Sequence, residues 1–105
     1  MANKYSVEIL PGAIEDLNSI YRYYFEESQD RDVAEKMTDE IEAAILSLEE
    51  YPKAHPVSRD KRLAKKGYRK LIIGNYITLY KIDDKTKRVT VTRVFRGMMN
   101  YAKYV

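Results

Sequence analysis

The chain has 105 residues, 45% of them apolar and 33% charged, with no cysteine and a single histidine. That length supports one modest hydrophobic core, expected as a single domain over 1–105, and the lack of cysteine excludes disulfides, thiolate nucleophiles and Cys-based metal sites. One histidine, His55 in a Pro-flanked loop, excludes a His-rich zinc centre and any nuclease mechanism built on a histidine pair, so neither a metal nor another cofactor is expected.

The net charge of +3 conceals a division along the chain. Residues 1–50 hold four Lys/Arg against thirteen Asp/Glu, whereas residues 51–105 hold fifteen against three. Its densest part, Arg59 to Lys70, carries seven cations and one acid. A run of this kind is either solvated surface or the mark of a polyanion or acidic protein partner. No apolar run approaches the roughly 20 residues that span a bilayer. Met1 to Tyr5 lacks the apolar stretch of a secretion signal, so a cytoplasmic protein without membrane contact is expected.

In chain order, Tyr5, Val7 and Ile9 alternate with Ser6 and Glu8, the period of a short half-buried strand. Pro11-Gly12 ends it. Ile14, Leu17, Tyr21 and Tyr24 then recur at helical spacing and predict a helix from about Ala13 to Ser28. A polar break follows, and Asp32 with Glu35 has the pattern of a capping box opening a second helix. Val33, Met37, Ile41, Ala44, Ile45 and Leu48 carry its apolar stripe to about Glu50. Two helices joined by so short a link form a hairpin. Beyond the irregular, Pro-bracketed segment and the basic run, three strands are expected at Tyr68–Ile73, Tyr76–Ile82 and Arg88–Phe95. Gly74-Asn75 turns between the first two, and residues 83–87 join the second pair. The fold class is therefore α+β: strand, helical hairpin, then a three-stranded antiparallel sheet, with the helices on one sheet face.

Strand parity separates the two faces. If Ile82 pairs with Val89, then Tyr76, Thr78, Tyr80, Ile82, Val89, Val91, Arg93 and Phe95 face the helices. The opposite face carries Ile77, Leu79, Lys81, Thr90, Thr92, Val94 and Arg96, and no predicted element covers it. An apolar strip left open among cations marks a partner site.

The order of these elements, with Tyr68-Arg69-Lys70-Leu71, Gly74-Asn75-Tyr76-Ile77-Thr78-Leu79-Tyr80, Val91-Thr92-Arg93-Val94-Phe95 and a late Tyr101, resembles the RelE/ParE superfamily of type II toxins over nearly the whole chain. The resemblance implies a small bacterial toxin silenced by a cognate antitoxin, typically acidic where it binds. Ile77, Leu79, Val94, Lys81 and Arg96 are the expected antitoxin-binding residues. One branch of the superfamily, RelE-like, cuts ribosome-bound mRNA without metal, the RNA's own 2′-hydroxyl attacking. For that chemistry Arg96 and Tyr101 are the catalytic candidates, and Lys65, Lys66, Arg69 and Lys70 are the phosphate contacts. The other branch, ParE-like, inhibits DNA gyrase.

Two departures favour the second branch. RelE-like nucleases commonly place arginine directly after the strand tyrosine, where this chain has Ile77. After the last strand, many members carry a His or Tyr with an Arg pair, where this chain reads Arg96-Gly97-Met98-Met99-Asn100. Removing a positioned charge-assisted donor typically lowers a rate by on the order of 10²–10³. A ParE-like gyrase inhibitor is the expected function. An mRNA interferase is the alternative, and a degenerate toxin or non-catalytic binding module is the third reading.

Overall fold

The computed structural model describes residues 4–55, 57–58 and 60–96. The elements are β1 (Ser6–Ile9), α1 (Pro11–Ser28), α2 (Arg31–Leu46), α3 (Lys61–Lys65), β2 (Arg69–Ile73), β3 (Tyr76–Asp83) and β4 (Arg88–Arg96), with a 3₁₀ turn at Ser47–Glu49 continuing α2.

Pro11 opens α1 in the first turn, where its missing N–H has no helical partner to lose. The helix stops at Gln29, whose left-handed φ of 56° lets its N–H reach the Phe25 carbonyl at 2.7 Å. So sharp a stop places the cap of α2 earlier than the capping-box pattern predicts. Asp30, not Asp32, is the N-cap, and its carboxylate accepts from the Asp32 N–H at 2.9 Å. Asp32 instead sits in the first turn, where the helix dipole favours an acid.

The three later strands form the expected antiparallel unit. β1 joins it parallel to β4, from Ser6↔Arg88 to Ile9↔Val91, so the sheet is four-stranded and mixed, in the order β1-β4-β3-β2. The Ile82↔Val89 pair holds. Parity fails further along, because Tyr80 pairs with Val91 while Leu79 pairs with Arg93, leaving Thr92 as an extra residue in β4. A bulge of this kind reverses inside and outside beyond it. Val94 therefore packs into the core under the helices with Val89 and Val91, while Phe95 turns to the opposite face.

That opposite face is not open, which corrects the expectation from the sequence. Ile77 is 8% exposed and Leu79 fully buried, both clustered with Leu63, Tyr68 and Phe95. The cover is α3, formed from the basic run itself. Asp60 caps it by accepting from the Arg62 and Leu63 N–H groups at 2.9 and 3.1 Å, and Leu63 plugs the sheet. Gly67, at φ +88°, then turns the chain into β2 in a conformation that L-residues rarely adopt.

Under the helical hairpin lies the larger core, where Leu17, Ile20, Ile41, Ile45 and Leu48 meet Tyr76, Tyr80 and Val91. Tyr80 is fully buried and donates its hydroxyl to the Pro52 carbonyl at 2.6 Å. Burial pushes this phenol up to about 12. Between the ordinary tyrosine pKa of about 10 and that value, the folded chain keeps a proton that the unfolded chain releases, so stability falls as pH rises through this window. Below it the group contributes no pH dependence. Urea midpoints are expected to drop from about pH 10 to 12 and to drop less steeply in Tyr80→Phe. Parallel profiles for the two proteins would show that this phenol is not shielded.

Candidate functional site

Beyond the Ile9↔Val91 pair, β1 no longer covers β4, and α1 crosses the freed edge. Here Asp16 gathers three donors: Arg93 Nε at 2.7 Å, Arg93 Nη2 at 2.9 Å and the Val94 N–H at 2.8 Å. The pairing is bidentate, with the Asp16 side chain 16% exposed. Arg93 reaches it by passing over Gly12, where an added Cβ would lie 3.0 Å from Arg93 Cδ. Its guanidinium also lies over the Phe95 ring, 4.7 Å from the centroid.

This pair forms one wall of a cleft of about 290 Å³, lined by Asp16, Ser19, Ile20, Tyr23, Tyr76, Arg93, Val94, Phe95 and Arg96. Arg96 stands exposed at its mouth, over the Tyr23 ring at 5.3 Å. Its hydrogen bond to Tyr23, then the field of Tyr76, raise its pKa further, so it is a permanent cation. Tyr76 is pushed up to about 12, first by burial and then by its contact with the Tyr24 hydroxyl, 3.3 Å away. Tyr24 meets Tyr23 edge-on at 5.1 Å. The cleft thus offers a cation beside phenols and an apolar wall, suited to a carboxylate carried next to an apolar side chain. It is poorly equipped for proton transfer. Its carboxylate is committed to Arg93, and a phenol pushed up to about 12 stays protonated at neutral pH, where it cannot accept a proton and gives one up poorly.

The sequence candidates separate into groups. Val94 and Arg96 share the cleft. Ile77 and Leu79 are sealed by α3, and Lys81 lies on that same face, 4.7 Å above the Tyr68 ring. Lys65 and Lys66 are exposed on and just after α3, and Lys70, paired with Leu79, shares their face. Arg69, paired with Tyr80, points the other way and donates to the His55 carbonyl at 2.7 Å. His55, read from the sequence as a loop residue, is half-buried with its ring edge-on to Tyr80 at 6.4 Å. Tyr101 lies outside the described residues. Lys81 lies five positions along β3 from Tyr76, which is at the cleft, an axial distance of about 17 Å. Among the described residues, no group of three or more His, Asp or Glu is placed to hold a metal ion.

Asp16, Tyr23 and Arg93 were not singled out from the sequence. Alternation alone places Arg93 toward the helices, and an arginine there demands a carboxylate from α1, where Glu15 and Asp16 are the choices. The bulge instead pairs Arg93 with Leu79, and its side chain still reaches Asp16. Among the described residues, no helix is long and apolar enough to cross a membrane.

No curated protein matches the sequence. In three dimensions the chain is similar to a chain of the chromosomal ParDE toxin–antitoxin system from P. aeruginosa, with a TM-score of 0.74 and 19% identity over 90% of this chain and 98% of that one. It is also similar to a chain of the toxin–antitoxin complex RelBE2 from Mycobacterium tuberculosis, with a TM-score of 0.62 and 24% identity over 89% of this chain and 98% of that one. At such identities the likeness is one of fold. The family model described as the ParE toxin of the type II toxin–antitoxin system, parDE, matches residues 7–101, and the chain belongs to this family of toxins.

Proposed function

We propose that this toxin inhibits DNA gyrase and that an acidic antitoxin silences it by docking at the cleft between α1 and β4. The separation of the cations carries the target reading. RNA cleavage through the 2′-hydroxyl needs a base, an acid and phosphate-binding cations within reach of one nucleotide. Here Arg96 stands at the α1 cleft, while Lys65, Lys66 and Lys70 lie on the opposite face of the sheet. The position where RelE-like nucleases carry an arginine is Ile77, a core residue. Membership of the ParE toxin family points the same way. For the antitoxin, Arg96 supplies a charged contact, and the exposed Tyr23 ring, with Ile20 and Val94 behind it, supplies an apolar one beside it. Charge gives such a docking its on-rate, and apolar burial gives it lifetime.

The test mixes purified toxin with gyrase and relaxed plasmid, and in parallel with a translating extract. Supercoiling is expected to stop, to recover on adding the antitoxin, and message is expected to stay intact. Codon-positioned cleavage of ribosome-bound message with gyrase unaffected would overturn the target reading.

A further inference from the structure

The face sealed by α3 is a plate of cations. Burying Leu63 turns the rest of this short helix outward, so Lys61, Lys65 and Lys66 are exposed. Strand alternation adds Lys70 from β2 and Lys81 from β3, and the loop after β3 adds Lys85 beside a groove that Lys66 and Lys81 also line. Among the described residues, Lys61, Lys65, Lys66, Lys70 and Lys85 form no ion pair. The neighbouring acids are occupied. Asp60 caps α3, Asp83 accepts from the Lys85 and Thr86 N–H groups at 3.0 and 3.3 Å, and Asp84 is held by Tyr5 and Lys53 at 2.6 and 3.1 Å.

We propose that this face docks on the sugar–phosphate backbone of duplex DNA. The chemistry of the surface selects that partner over an acidic protein. Protein interfaces draw their affinity from buried apolar and aromatic anchors and are depleted of lysine at their centre. Here Ile77, Leu79 and Phe95 are already consumed by Leu63 and Tyr68. Among the described residues, the large apolar side chain left exposed on this face is Ile72, a single residue on the edge strand β2 and 58% exposed, too little to anchor a protein. Backbone binding needs no such anchors, only several mobile cations, and it releases counterions as it forms. Single strands are held by exposed aromatic platforms, and Tyr68 is only 8% exposed with Lys81 above its ring. The acidic helical hairpin on the other side of the sheet is repelled by phosphate, so the field of the whole molecule presents the α3 face first. The inference extends the gyrase reading: a toxin with this plate grips the DNA segment that gyrase holds as well as the enzyme.

Anisotropy titrations of the full chain against a labelled blunt duplex, over a range of salt, test it without gyrase present. Six lysines limit the slope of log K against log salt to about −5. The combined variant Lys65→Gln, Lys66→Gln, Lys70→Gln is expected to flatten the slope by about 2.7, three contacts at about 0.9 each. Arg22→Gln, Arg31→Gln, Lys36→Gln, which removes equal charge from the hairpin, is expected to leave it unchanged. Absence of duplex binding at about 50 mM salt, equal slopes for the two triple variants, or tighter binding to single-stranded RNA or a poly-glutamate peptide would each overturn the proposal. A toxin that binds the duplex but leaves supercoiling intact would sink the target reading and spare this one.

Discussion

Asp16→Ala is expected to lower the unfolding free energy by about 3 kcal/mol, near the lower end of what breaking a buried ion pair costs. Three donors lose their acceptor at once: both guanidinium contacts from Arg93 and the backbone N–H of Val94. The lower end applies because Arg93 is 31% exposed, so water reaches part of what is uncovered. Asp16→Asn keeps an acceptor for the Val94 N–H and should fall between wild type and alanine. Arg93→Ala, made with and without Asp16→Ala, closes a double-mutant cycle for the pair. Urea denaturation at neutral pH supplies all four numbers. A loss under about 1 kcal/mol for Asp16→Ala would mean that the pair behaves like an ordinary surface contact.

Leu63→Ala is expected to lower stability by about 2–4 kcal/mol, the usual range for emptying a fully buried leucine site. Leu63 is 0% exposed and is the plug through which α3 holds the sheet. A helix of five residues has no independent stability in water, so removing its plug is expected to release the segment as well as to open a cavity. Ile77, Leu79 and Phe95 would then meet solvent. Two readouts are expected together: a lower urea midpoint and dye binding to exposed apolar surface under native conditions. Stability within about 0.5 kcal/mol of wild type, the range for ordinary surface changes, would show that α3 is not held by this contact.

Element types were legible in the sequence wherever apolar periodicity ran long enough. The stripe of α1 from Leu17 to Tyr24 and that of α2 from Met37 to Leu48 identify both helices, and β2, β3 and β4 fall within a residue or two of their expected bounds. What stayed illegible was carried by single residues. Leu63 among the seven cations of the basic run gives no helical period, yet with Asp60 as cap it makes the element that covers a sheet face. Thr92 shifts β4 by one position, and nothing in alternation marks a bulge before its partner strand is known. Those two residues together reversed the reading of the far face, and with it the expected use of Ile77 and Leu79. Arg96 as an exposed cation beside Val94 was foreseeable as a candidate, but its setting among Tyr23, Tyr24 and Tyr76 depends on how α1 crosses the sheet.

The place of β4 in the sheet governs how the chain assembles. The strand latest in the described sequence is an interior one, hydrogen-bonded to β1 on one side and β3 on the other. Ser6 must find Arg88 across most of the described sequence, a pairing of high sequence separation that favours slow, late closure. As the chain leaves the ribosome, α1 and α2 emerge early with an uncovered greasy side and nothing to rest it on. The sheet therefore closes only once β4 has been made, and until then the apolar side of the helical hairpin lacks the strands that cover it.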